Sequence, residues 1–475
     1  MSARNDAIVI GGGLNGLIAA TYLAKAGRKV LLLEAEETLG GSCRATSALA
    51  EVRASLGGHA LSAFDPRLAK DLGLRGLKFV LRDMPTVALR QDGHHLILSR
   101  DAHAAARAIA ARSPADAETY RRLRAELFAL GRTMRPLWWD GASNAPYDAL
   151  FSRLKVTSAA SFLSSLESES LKAALAFDAG APWQSGSALT LVWRAAQEMC
   201  GLQGALAIPQ GGMAALAGML VVAAQSGGVE IRTGARVAKI VAEDVVTGVN
   251  LDSGEEILSH AVLSSLSRRK TLLDLAPMAA VGLAETYHLK RSAPQAGEAS
   301  ILFLLSAAPD FGARNARFIL ADRLDAYAAG DSAVREGRLP DEFLIEALVP
   351  TAADPALAPV GQHLLTVRAL GLPLMPKGGW PALSTKLVER IIAALERHTP
   401  HLRERIVGLD LRLPQEEEPF SAARLAASYA ERVSTPIEGL FLCGIGAEPM
   451  NAISGRAGRL AAGIAQAWLA REKRA

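Results

Sequence analysis

Four apolar residues in a row, Ala7-Ile8-Val9-Ile10, predict a strand buried on both faces. Glycines follow at 11, 12, 13 and 16, and apolar positions take helical spacing from Leu17 to Ala26. A second strand is predicted from Lys29 to Leu33, ending on Glu34. Later pieces read as parts of the same sheet. A helix over 213–225 leads into a strand at 229–232, and 236–241 with 246–251 form a hairpin whose next turn is Asp252-Ser253-Gly254. Residues 261–263 and 440–443 read as two further parallel strands, and a helix over 454–471 closes the chain. Two long stretches interrupt this pattern. Residues 102–130 and 158–178 read as helical, and 301–306, 343–349 and 364–370 as strands. Leu383, Leu387, Ile391 and Leu395 place a helix over 383–397. The predicted class is α/β. A Rossmann-like domain is assembled from residues 1–75, 205–280 and 415–475, and a mixed-sheet and helical domain from 76–204 and 281–414.

The first turn carries chemistry. A strand, G-x-G-x-x-G, a helix, a second strand and an acid, in that order, form a dinucleotide-binding fingerprint. Gly11 permits the tight turn, Gly13 lets a pyrophosphate approach the backbone, and Gly16 lets the helix pack closely on the strand. Leu14, Asn15 and Gly16 open the helix, whose free N–H groups and partial positive charge suit a phosphate. The Glu34 carboxylate can accept a ribose hydroxyl. The fingerprint alone suits NAD and FAD equally.

Composition acts mainly by exclusion. The 475 residues suffice for two domains, and 52 basic against 48 acidic residues are too balanced for a nucleic-acid partner. Aromatics make up 5 %, too few for base-stacking platforms. Cys43, Cys200 and Cys443 are odd in number and scattered, which argues against a disulfide framework or a metal site and suits a reducing cytoplasm. No apolar run is long enough to span a bilayer, and the early first strand leaves no room for a signal peptide.

Six residues past Glu34 stands Gly40-Gly41, followed by Ser42-Cys43-Arg44. A glycine pair there resembles the second dinucleotide motif of the FAD-dependent amine oxidase and phytoene desaturase superfamily. Further segments extend the likeness: Ile208-Pro209-Gln210-Gly211-Gly212-Met213, Thr247-Gly248-Val249 with the 252–254 turn, Pro350-Thr351 through His363, and Thr435 through Gly444. Over nearly its whole length the chain resembles the phytoene dehydrogenase-related FAD oxidoreductases. The resemblance implies non-covalent FAD and a small-molecule substrate. It implies a cofactor site that includes Ala35, Gly40, Gly41, Ser42, Arg44, Gly58, Val237, Gly444, Glu448, Asn451, Ala452, Ile453 and Ser454. The chain also departs from the family. Where the family has His or Thr, Pro and a glycine triplet, this sequence has Glu448-Pro449-Met450-Asn451-Ala452, so side chains enter the pocket floor. A family segment with Gly-Gly and His-Gly is replaced by Gln415-Glu416-Glu417-Glu418-Pro419.

A flavin carries the hydride chemistry, and the protein positions the substrate and tunes the ring. Candidate catalytic groups are therefore few. His59, after Gly57-Gly58, can act as base or polar anchor, or serve as a structural histidine. Glu448 can hold the cofactor or make a structural contact, with a proton-holding role the lesser reading, and Asn451 can reach into the pocket with its amide. Arg44 and Arg456 can neutralise phosphate or reduced flavin, and the N–H groups at Ser454-Gly455 can face the ring edge. Cys43 invites a covalent-flavin reading, against which stands its proximity to the wrong end of the cofactor. Trp183 and Trp193 suit a substrate cavity or core packing equally. The basic C-terminal helix reads as packed on the sheet with a solvated tail, and peripheral membrane contact is the lesser reading.

The expected function is oxidation, isomerisation or saturation of a C–C bond in a small or lipophilic substrate. A flavin amine oxidase is the alternative, weakened because no Tyr follows Tyr429 to form an amine-sandwiching aromatic pair. A non-catalytic, FAD-containing partner-binding protein is the alternative from another class. Oxygen, a quinone and another protein stay open as electron acceptor, and the pattern specifies no oligomeric state.

Overall fold

The computed structural model describes residues 4–58, 60–142, 147–414 and 421–472. Its first unit is β1 (Asn5–Ile10), α1 (Leu14–Lys25) and β2 (Val30–Leu33). β1 is as apolar as a strand between two layers requires: Ala7, Ile8 and Val9 have no exposed surface. It pairs in parallel with β2 on one side and with the later half of Glu256–Ser264 on the other. That long strand serves two ladders. Its first residues pair antiparallel with Val246–Leu251, and its last pair in parallel with β1 and Leu440–Leu442. Glu230–Arg232 adds to β2 in parallel, and Val237–Ala242 completes the hairpin. Helices Gly212–Ser226 and Arg456–Glu472 pack against α1. Leu216, Leu220, Ala461 and Ala465 join Leu17, Ile18 and Leu23 in one apolar cluster. The Rossmann-like sheet is thus drawn from segments far apart in the chain.

The second sheet runs Ile406–Arg412, Ala296–Leu305, His363–Pro373, Leu344–Leu348, Arg317–Leu320, Thr86–Ala88, Leu96–Leu98. Its pairs are antiparallel except for Arg317–Leu320 with Thr86–Ala88, so the sheet is mixed. One face is closed by the helix Trp380–Glu396, where Leu387, Ile391 and Leu395 meet Ile301, Phe303 and Val367. The other face turns toward residues 46–57: Leu302, Leu304 and Leu364 pack with Val52 and Ala54.

Several expectations change in detail. The predicted helix over 102–130 is two helices, Ala102–Ala110 and Pro114–Trp139, because Pro114 disfavours helical backbone at Ser113 and starts a new helix itself. Residues 158–178 hold two short helices, Ala159–Phe162 and Glu169–Ala176, each capped by the serine before it. The strands at 86–88, 96–98, 317–320 and 406–412 carry no clear signal in the sequence. Among the described residues no helix is long and apolar enough to cross a membrane.

Candidate functional site

α1 begins without a side-chain cap and with no acid in its first turn. Its N–H groups and positive dipole end are left for an anion. The glycines before it pack as the fingerprint predicts. Gly11 has a φ of 94°, and a Cβ on Gly16 would lie 2.0 Å from the Gly11 carbonyl oxygen. The second glycine loop zips onto the first. The Gly40 N–H donates to the Gly12 oxygen at 2.8 Å, and Gly13 and Gly40 form a parallel bridge. A Cβ on Gly13 would meet nothing nearer than the Gly41 Cα at 3.9 Å. Bare backbone beside an uncapped helix start is a cradle that fits a pyrophosphate. Ser42 and Arg44 stand exposed after this loop. The Arg44 guanidinium lies 3.6 Å from Glu36 at the surface.

Both oxygens of Glu34 take backbone N–H groups, from Gly12 at 2.6 Å and from Glu36 at 2.9 Å. Each oxygen keeps a lone pair for a ribose hydroxyl, so the acid both anchors the glycine turn and suits the sugar. Ala35 is half-buried beside it, and Val237 is buried at the start of its strand. Glu34→Ala should weaken cofactor retention by roughly 1.5–3 kcal/mol for a charge-assisted bond to the ribose, with more from loosening the turn. Equilibrium dialysis of flavin against wild type and variant checks this; equal affinity would remove Glu34 from the site.

The C-terminal part approaches the same region. The Gly458 N–H donates to Asn15 Oδ1 at 3.4 Å, and a Cβ on Gly458 would lie 2.4 Å from the Asn15 carbonyl oxygen. The two helix starts therefore sit side by side. Gly58 is buried against Ile453, Cys43 and Met213. Gly444 is tight for another reason: its Cβ would overlap the Ser265 carbonyl oxygen at 1.9 Å, so it is a packing glycine at a strand end.

Glu448 is 1 % exposed. It accepts from the Ser454 hydroxyl, from the Ala457 N–H at 3.2 Å and from the Tyr429 hydroxyl at 3.3 Å. Burial pushes its carboxyl above the usual carboxylate range, against the pull of Ser454 and Arg456. In this setting it caps the last helix rather than facing open space. Ser454 is fully buried in the same knot. Arg456 stacks 4.0 Å over the Trp139 ring and donates to Gln197 Oε1 at 2.7 Å. Asn451 is exposed, Ala452 and Met450 pack on the apolar cluster around Trp138, and His59 lies outside the described residues, as does 415–420. Trp193 is buried in that same cluster, whereas Trp183 is 53 % exposed. Cys43 is buried and its thiol is pushed up to about 12, so it stays protonated and a poor nucleophile.

One group near the loop carries no signal in the sequence. The Arg412 guanidinium lies against Gly57: a Cβ there would sit 2.4 Å from its Nη1 and 2.8 Å from Ser42 Cβ. Only the pairing of the second sheet brings it there.

The flavin containing amine oxidoreductase family matches residues 14–272. The chain belongs to that family. It is an FAD-dependent oxidoreductase of this superfamily. Among curated relatives, pyridine nucleotide-disulfide oxidoreductase domain-containing protein 2 of Rattus norvegicus is 28 % identical over 97 % of this chain and 93 % of its own. Phytoene dehydrogenase of Streptomyces griseus is 28 % identical over 82 % of this chain and 78 % of its own. Cyclohexylamine oxidase of Brevibacterium oxydans superposes over 100 % of both chains with a TM-score of 0.64 at 16 % identity, a likeness of fold.

Proposed function

We propose that this protein oxidises, isomerises or saturates a C–C bond of a small organic substrate, with FAD held non-covalently in the cradle of Gly11–Gly16, Glu34 and Gly40-Gly41. The flavin supplies the hydride chemistry when bound. The chain's own residues bind and orient. The start of α1 and the glycine loops hold the pyrophosphate, Glu34 holds the ribose, and the 42–58 segment with 450–454 lines the ring end. The division into residues 1–75, 205–280 and 415–475 for the cofactor and 76–204 and 281–414 for the substrate belongs to the same proposal.

The observation that carries the choice of a C–C bond is Tyr429. It is the last tyrosine of the chain, it is buried, and its hydroxyl is held by Glu448. It is not free to stack on an amine. Likeness to a phytoene dehydrogenase over most of the chain supports the same reading. The amine oxidase reading is favoured by the family match itself and stays as the second.

The test is anaerobic. Purified yellow protein is mixed with matched panels of amines and of saturated and unsaturated acids, alcohols and hydrocarbons, and bleaching of the flavin is followed. Reduction by a saturated C–C donor, or reoxidation by an alkene, supports the reading, whereas bleaching by amines alone overturns it. Acid precipitation should release the colour to the supernatant, since the nearby thiol, Cys43, is buried and protonated. Flavin fluorescence that stays on the polypeptide would show a covalent link.

A further inference from the structure

The face of the second sheet turned toward residues 46–57 is polar along one cross-strand row. Ser300 pairs with Arg412 on one side and with Arg368 on the other, and Arg368 pairs with Glu346. Directly paired residues share a face, so these four side chains stand in line, with Leu302, Leu304 and Leu364 two and four positions along the same face. The centre of the row is a neutralised network. Arg368 binds Glu298 and Glu346, Arg317 binds Glu346 and Asp178, and Arg194 lies 3.8 Å from Asp178.

Arg412, at the end of the row, is different. Among the described residues no carboxylate pairs with it, and its buried Nε has no hydrogen-bond partner. The Ser300 hydroxyl beside it is wholly buried and also lacks a partner. A buried donor left unsatisfied is costly, so two adjacent ones call for an acceptor that the described residues do not supply. The Arg412 guanidinium lies against Gly57, in the segment proposed to line the flavin ring. The Arg368 side chain in the row keeps 31 % of its surface accessible.

We propose that Arg412 and Ser300 bind a carboxylate on the substrate, which makes the substrate class an organic acid rather than an uncharged hydrocarbon or a simple amine. The guanidinium Nε–H and a second N–H form the fork that matches a carboxylate, and the Ser300 hydroxyl adds a third donor. This assignment rests on the proposed oxidoreductase site and narrows it.

The probes are benzoate and octanoate, each with its neutral amide as partner, titrated into flavin-loaded full-length protein. A carboxylate docking beside the ring should perturb the flavin absorption band saturably and raise Tm, and the matching amide should do so at least tenfold more weakly. Arg412→Gln should keep its flavin and bind the carboxylate about tenfold or more weakly, the size expected for losing a charge-assisted bond. Arg412→Lys should recover part of that loss, because it restores charge without the fork. Three results overturn the assignment: neither carboxylate perturbs the wild type, the amides bind as well as the acids, or Arg412→Gln loses its flavin and so marks Arg412 as a cofactor contact. In each of these the wild type still carries flavin, and the oxidoreductase reading stands. Protein that takes up no flavin at all overturns both.

Discussion

Gly16→Ala should give a protein that holds no flavin and unfolds well below the wild type. Helix propensity argues the other way, since Ala is favoured over Gly in a helix by about 1 kcal/mol. Sterics decide. The new Cβ would lie 2.0 Å from the Gly11 carbonyl oxygen and 3.4 Å from Ser265 Cβ, and the first of these is backbone that cannot rotate away. Forcing such an overlap costs roughly 1–3 kcal/mol or more, and relief comes only by moving the 11–13 turn on which the pyrophosphate would rest. Gly463→Ala is the internal control. That glycine is exposed in the helix Arg456–Glu472, and its Cβ would meet nothing within 4 Å. It should gain roughly 0.5–1 kcal/mol and keep its flavin. Flavin absorbance per protein and denaturant midpoints for the pair read both effects. A flavin-loaded Gly16→Ala of wild-type stability would show that close packing at this glycine is not what shapes the cradle.

The cradle was legible in the sequence because each of its parts leaves a local mark: an unbroken apolar strand, glycines at fixed offsets, a helical period and an acid. The central strands of both sheets were legible for the same reason. Thr86–Ala88, Leu96–Leu98 and Arg317–Leu320 were not, since three or four residues hold too little periodicity, and they exist only through pairing with remote segments. Ile406–Arg412 has no buried residue, alternating half-buried with exposed positions at its start, and contains Gly408, which weakens a strand signal. The juxtaposition of Ser300 and Arg412 follows from that pairing, so no spacing in the sequence announces it. Glu448 illustrates the converse. Between Ala447 and Pro449 the sequence leaves cofactor, structural and proton-holding readings open, and only the fold shows it buried at the start of the last helix.

Glu448→Ala should cost about 2–4 kcal/mol of stability. The substitution leaves the Ser454 and Tyr429 hydroxyls and the Ala457 N–H without their acceptor in a buried site, at roughly 1 kcal/mol or more each. It also removes the anion beside Arg456 and Arg432 at the start of the helix. The pH dependence has a definite sign. Burial raises the folded-state pKa of this carboxyl above its unfolded value. Its stabilising share is therefore full below the unfolded pKa and declines as pH rises through the folded one. The stability gap between wild type and Glu448→Ala should narrow as pH increases from about 4 upward, an ordinary unfolded Glu titrating near 4.3. Denaturant titrations of both proteins across this range measure it. The two roles of Glu448 predict different patterns. As a cap, its loss lowers stability and flavin content together, with the reduction rate per bound flavin unchanged. As a proton-transfer group, its loss leaves a stable, yellow protein that is reduced slowly. The three buried hydrogen bonds and the seat at the helix start favour the first pattern, and a stable but slow variant would return Glu448 to the chemistry.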